Sequence, residues 1–100
     1  MSDLKIPDNI VHRLTSKYGI TDEVLSSLTF REYVLLDVLS AIEGQMVCNM
    51  QMQERLSEFG EDVSLSSMPV FVHRLRKKLE KTKARIVVDR GLGYTLVKKS

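Results

Sequence analysis

Arg74, Arg76, Lys77, Lys78 and Lys81 crowd one short stretch, and Lys83, Arg85 and Arg90 follow before Tyr94; from His73 to Tyr94, eight Lys or Arg residues stand against two acids, Glu80 and Asp89. A guanidinium donates paired hydrogen bonds in a planar fork and an ammonium supplies a point charge, so this set is suited to holding a polyanion. Apolar residues recur at regular intervals through the same stretch, which argues for a folded basic surface and against a solvated tail.

The charge is divided along the chain. From Phe71 to Ser100 ten Lys or Arg residues face two acids, +8, while Met1 to Val70 carries five against eleven, −6, and the two blocks sum to the chain's +2. Such asymmetry suggests that the C-terminal block meets a polyanion and that the rest serves another purpose. One hundred residues, 43% hydrophobic and 28% charged, suit a single globular unit with a small core. No apolar run reaches about 18 residues, no basic start precedes an apolar block, and Cys48 is the one thiol. These features do not point to membrane insertion, secretion or a disulfide framework, and a reducing cytoplasm is the expected setting. His12 and His73 lack neighbouring ligands, Cys48 has no His near it in sequence, and no Gly-rich loop precedes a helix. No metal, cofactor or catalytic nucleophile is therefore expected.

The basic residues need elements to position them. Ser66 or Ser67 can cap a helix over about residues 67–81, with Pro69 in the first turn, where its missing N–H costs nothing. At about 100° per residue, Met68, Val72, Leu75 and Leu79 share a narrow apolar stripe. Val70, Arg74, Lys77 and Lys81 lie opposite, flanked by Phe71, His73 and Lys78. Ile86–Asp89 reads as a strand, Arg90-Gly91-Leu92-Gly93 as a tight turn and Tyr94–Val97 as the returning strand. Upstream, Ile10, Val11, Leu14 and Tyr18 predict a helix over about Asn9 to Tyr18 with Gly19 as its stop. Thr21 and Asp22 start a second short helix to about Ser27, although EVLSSLTF also suits an extended run. Thr29-Phe30-Arg31-Glu32 is a capping-box pattern, and Tyr33, Leu35, Leu36, Leu39 and Ile42 keep helical spacing to Gly44. Met52, Leu56 and Phe59 mark one face of a helix from about Asn49 to Phe59.

A basic amphipathic helix followed by a basic hairpin meets the requirements of duplex DNA: the major groove admits one helix, and a hairpin beside it can place an Arg at the minor groove. Leu28-Thr29-x-x-Glu32-x-x-Leu35-Leu36-x-x-Leu39, Val70-x-Val72-x-Arg74-Leu75-Arg76-Lys77-Lys78-Leu79 and Arg90-Gly91-x-Gly93-Tyr94-x-Leu96 together resemble the OmpR/PhoB-type winged-helix domain of bacterial response regulators, over about Leu28 to Val97. The resemblance implies an α+β winged helix-turn-helix, with a three-helix core and a C-terminal β-hairpin wing at 28–100; the apolar spacing makes the N-terminal segment at 1–27 helical. It implies that Arg74 reads a base, Val70 makes an apolar base contact, and His73 and Arg76 meet phosphate or backbone. Arg90 is the implied wing arginine, with Gly91 and Gly93 shaping the turn and Tyr94 packed beneath it.

Pro69 stands where the family usually has an acidic residue and Phe71 where it has His or a similar polar residue, which leaves the base preference open. The family's antiparallel sheet before the first helix is replaced here by a mainly helical segment. No receiver domain or phosphoacceptor aspartate is visible, so if Met1 opens a complete chain the switch lies elsewhere, and residues 1–27 become the expected site of dimerisation or partner binding. Plainer readings stand beside these. The basic cluster also suits a solvated helix face; Arg76 suits an ion pair with Glu32 or Asp37; Phe71 suits packing beside Leu75. Met46, Met50, Met52 and Met68 are expected to fill core gaps. Glu54, Glu58, Glu61 and Asp62 are expected in solvent, or facing RNA polymerase as the family's equivalent loop can. The expected function is a sequence-specific double-stranded DNA-binding regulator, nucleoid-associated and homodimeric. The alternative is a winged-helix module that binds another regulator or RNA polymerase and touches DNA weakly.

Overall fold

The computed structural model describes residues 6–99. Along the chain run α1 (Asp8–Tyr18), α2 (Asp22–Ser27), α3 (Phe30–Ser40), β1 (Met46–Cys48), α4 (Asn49–Glu58), a single 3-10 turn (Leu65–Ser67), α5 (Met68–Lys78), β2 (Ala84–Asp89) and β3 (Gly93–Lys98). The strands form one antiparallel sheet in the order β1-β3-β2.

Everything packs around α3. Its Tyr33, Val34, Leu35, Leu36 and Leu39 are all buried, so the helix is enclosed on nearly every side. Met52 and Leu56 of α4, Met68, Val72 and Leu75 of α5, Ile86 and Leu96 of the hairpin, and Leu14 and Tyr18 of α1 join it in one cluster. The capping box at the start of α3 is complete: Glu32 N–H donates to Thr29 Oγ1 at 3.2 Å and Thr29 N–H to Glu32 Oε1 at 2.8 Å.

The N-terminal helices are stitched into this core. Arg13 of α1 pairs with Asp37 of α3 at 2.7 Å and reaches Ser40 Oγ at 3.0 Å. Gly19 ends α1 with φ 62°, and Lys83 N–H donates to Tyr18 O at 2.9 Å, which joins α1 to the loop entering β2. The apolar face of α1 is thus directed into the chain's own core. The run from Asp22 is helical to Ser27, with Val24 N–H donating to Thr21 Oγ1.

Several boundaries differ from the sequence expectations. Helix α3 ends at Ser40, so Ile42 lies beyond the stripe and is 61% exposed. The chain then turns back through β1, a strand of three residues that carries no periodicity of its own and was not expected. Phe59 leaves the core face of α4 and is 47% exposed, edge-on to Phe30 at 5.5 Å between centroids. Met46 and Met50 are exposed, one on an edge strand and one in the first turn of α4, whereas Met52 and Met68 fill the core as expected. Cys48 is half-buried at the N-cap of α4, where its N–H donates to Gln51 Oε1 at 3.0 Å. Among the described residues no helix is long and apolar enough to cross a membrane.

Candidate nucleic-acid interface

Pro69 in the first turn of α5 and the buried stripe of Met68, Val72 and Leu75 fix which way the helix faces. Val70, His73, Arg74, Arg76 and Lys77 are left exposed, and Phe71 is half-buried at the stripe's edge. Helix α5 ends at Lys78, so Lys81 lies in the following turn and is exposed there without extending the helical row.

The helix presents two different flanks. On one, Phe71, Arg74, Lys77 and Lys78 face the start of α3 across a groove of about 590 Å³ that also takes in Arg31, Glu32 and Glu61. On the other, His73 and Arg76 face the hairpin across a cleft of about 450 Å³ whose far wall includes Arg90, Gly91 and Tyr94. A third depression, about 430 Å³, is bordered by His73, Arg76, Lys77, Arg85 and Lys99. Arg31 and Lys99 therefore join this surface from outside the basic stretch read in the sequence, and Arg85, already within that stretch, borders it as well. Arg85 was recoverable from the alternation of β2, which turns Ala84 and Ile86 inward and Arg85 outward. Arg31 was not, because its position depends on Glu61, thirty positions away in sequence, at 2.7 Å.

Lys78 has a different setting from the other cations. Its Nζ lies 2.6 Å from Glu32 Oε1 and also donates to Ser27 O, and Glu32 is only 3% exposed. The ammonium thus ties the end of α5 to the cap of α3. The Glu32 ion pair expected for Arg76 belongs to Lys78, because two positions on a helix are turned by about 200° and Arg76 points to the wing. Asp37 is taken by Arg13, with Arg55 at 4.0 Å.

The wing tip is closed by Leu92 N–H donating to Asp89 O at 3.0 Å, with Gly91 at φ 76°. Gly93 is the first residue of β3, and its role is close approach: a Cβ there would strike the Val47 carbonyl and lie 2.7 Å from Cys48 Cα. Asn49 N–H donates to Leu92 O at 3.0 Å and holds the tip against the start of α4. Tyr94 packs under the hairpin, 6% exposed. Burial raises its phenol pKa, with the Arg76 charge acting in the opposite direction.

A three-helix core, a basic helix exposed along its length and a hairpin with an arginine at its tip define a winged helix-turn-helix DNA-binding domain. The chain belongs to the family of transcriptional regulatory proteins, C-terminal domain, whose model matches residues 22–96; it is an OmpR/PhoB-type DNA-binding domain and not an enzyme. It is 41% identical over 70 residues to the transcriptional regulatory protein TctD of Salmonella typhimurium, covering 70% of this chain and 31% of TctD. It is 36% identical over 77 residues to the swarming motility regulation protein RssB of Serratia marcescens, covering 77% and 34%. The chain thus spans about a third of the length of these curated relatives. Among solved structures, the C-terminal domain of the nisin resistance regulator NsrR, a lantibiotic response regulator, superposes with a TM-score of 0.62 at 27% identity, covering 73% of this chain and 76% of that one.

Proposed function

We propose that the chain recognises specific duplex sequences in regulating transcription, with α5 in the major groove and the β2–β3 hairpin at the minor groove. The observation that carries this reading is the cleft between α5 and the wing, where exposed His73 and Arg76 face Arg90. Arg74 reads a base edge through its guanidinium fork, Val70 makes the apolar part of the contact, and His73, Arg76, Lys77 and Lys81 meet phosphates. Arg90 enters or borders the minor groove. Lys78 contributes through the placement of α5. Two copies bind repeated half-sites about one helical turn apart, and the working protein is nucleoid-associated in the cytoplasm.

A protein partner is the second reading, favoured by exposed Phe59 and Leu65 beside the exposed acids Glu54, Glu58 and Asp62. These residues run from α4 into the segment that joins it to α5, and such a surface suits RNA polymerase or another regulator.

Selection of duplexes from a random pool, by wild type and by Arg74→Ala at two salt concentrations, tests the first reading. A motif is expected, with Arg74→Ala losing about 1–3 kcal/mol and blurring one base position. Equal binding to all duplexes, falling only with salt, overturns it.

A further inference from the structure

We propose that Phe71 is a positioning residue for Arg74: backed by the Arg31–Glu61 pair, its ring holds the guanidinium in one orientation and so sets how sharply one base position is discriminated. Two guanidinium groups lie over the Phe71 ring, Arg31 Cζ at 4.9 Å and Arg74 Cζ at 5.8 Å from its centroid. Arg31 is anchored, because its Nε donates to Glu61 Oε1 at 2.7 Å. The Glu61 carboxylate offsets the charge of Arg31, so a second cation on the same ring is not disfavoured. On α5, Phe71 and Arg74 are three positions apart and share a face.

An exposed arginine samples many rotamers, and docking it against a base edge removes that freedom. A ring that already holds the guanidinium lowers the cost for one approach and leaves others as unfavourable as before. The effect therefore falls on discrimination at the base that Arg74 meets, and the phosphate contacts made by Lys77 or Arg76 are unchanged. The groove walls support this placement: Phe71 borders the cavity shared with Arg74 on one side and, on the other, a depression shared with Arg31, Gln53 and Ser67. Phe71 is half-buried and packs against the core, which limits the freedom of its ring.

The inference rests on Arg74 as the base-reading residue, and the experiment separates the two. Wild type, Phe71→Leu, Phe71→Tyr, Arg74→Ala and the Phe71→Leu/Arg74→Ala double variant are titrated against the selected duplex and against single-base changes through it. Phe71→Leu is expected to lose about two- to five-fold in discrimination at the position that Arg74→Ala blurs, the range for an exposed cation–π contact. Its salt slope stays that of wild type, Phe71→Tyr restores the discrimination, and the double variant discriminates no worse there than Arg74→Ala alone. Undiminished discrimination in Phe71→Leu, or a loss spread over all positions, overturns the proposal. If Arg74→Ala blurs no position, the base-reading role itself is wrong and the inference goes with it. Should Phe71→Leu fail to fold, the Arg74 side-chain proton resonances of the free wild type decide: upfield ring-current shifts support the stack, and random-coil positions refute it.

Discussion

At the scale of single residues, two neighbouring lysines divide the duties of the basic helix. Lys77 is exposed, whereas Lys78 is half-buried with its ammonium on the buried carboxylate of Glu32. Removing Lys78 leaves Glu32 charged and enclosed, and an unpaired buried charge costs more than the pair contributes. Lys78→Met is expected to lower unfolding free energy by about 2–3 kcal/mol, less than for a fully enclosed pair because the lysine is partly in solvent. Glu32→Gln in the same background should recover part of that, because the neutral amide keeps an acceptor for Thr29 N–H. Lys77→Ala is expected to leave stability within about 0.5 kcal/mol and to reduce the salt slope of duplex binding by about 1. Urea unfolding and salt titration check both. A Lys78→Met chain as stable as wild type that loses only DNA affinity would return Lys78 to the DNA-facing set.

At the scale of elements, the wing depends on two glycines for different reasons. Gly91 needs its left-handed backbone, so Gly91→Ala is expected to cost about 1–2 kcal/mol, with Asn tolerated better. Gly93 sits where β3 meets β1 in register with Cys48. Its absent Cβ leaves room for the Val47 carbonyl, and backbone cannot move aside as a flexible side chain can. Gly93→Ala is therefore expected to cost about 3 kcal/mol, the upper end of overpacking, and to loosen amide exchange across β1. If Gly93→Ala proves milder than Gly91→Ala in thermal unfolding, close approach is not its role. The sequence showed both glycines but assigned both to the turn, because β1 was invisible. Met46-Val47-Cys48 is too short for alternation to register, and it becomes a strand only by pairing with residues almost fifty positions later. Helices α1, α4 and α5 were legible because each carries its own apolar spacing, whereas for α2 the cap at Thr21 left an extended run equally open. The end of α3 was misplaced for the opposite reason: the chain leaves the helix at Ser40 to reach β3, a long-range demand that local spacing at Ile42 does not reveal. The exposed basic face of α5 followed from periodicity alone, whereas the Lys78–Glu32 and Arg31–Glu61 pairs required the tertiary packing of α3 against α5 and the loop after α4.

At the scale of the whole molecule, one core serves every element, and its three tyrosines report on it together. Tyr18 ends α1, Tyr33 lies within α3 and Tyr94 beneath the wing, all buried. Burial raises each phenol above its ordinary value of 10.0, Glu43 adding to the rise at Tyr18 and Asp37 at Tyr33, while Arg13, Arg55 and Arg76 oppose it at their respective neighbours. The folded chain thus keeps these protons at a pH where the unfolded chain releases them. Their contribution to stability is complete below pH 10.0 and is lost as pH rises through the folded values, each tyrosine removing about 1.4 kcal/mol per pH unit in that window. Thermal midpoints should accordingly fall steeply above about pH 10. Tyr18→Phe tests the attribution cleanly, because the Tyr18 hydroxyl has no hydrogen-bond partner among the described residues and its removal leaves no orphan behind. That variant is expected to match or exceed wild type in stability at neutral pH and to show a shallower alkaline decline. An unchanged decline would mean that α1 has already left the core before the phenol titrates, and that the N-terminal helices unfold as a unit separate from the winged helix.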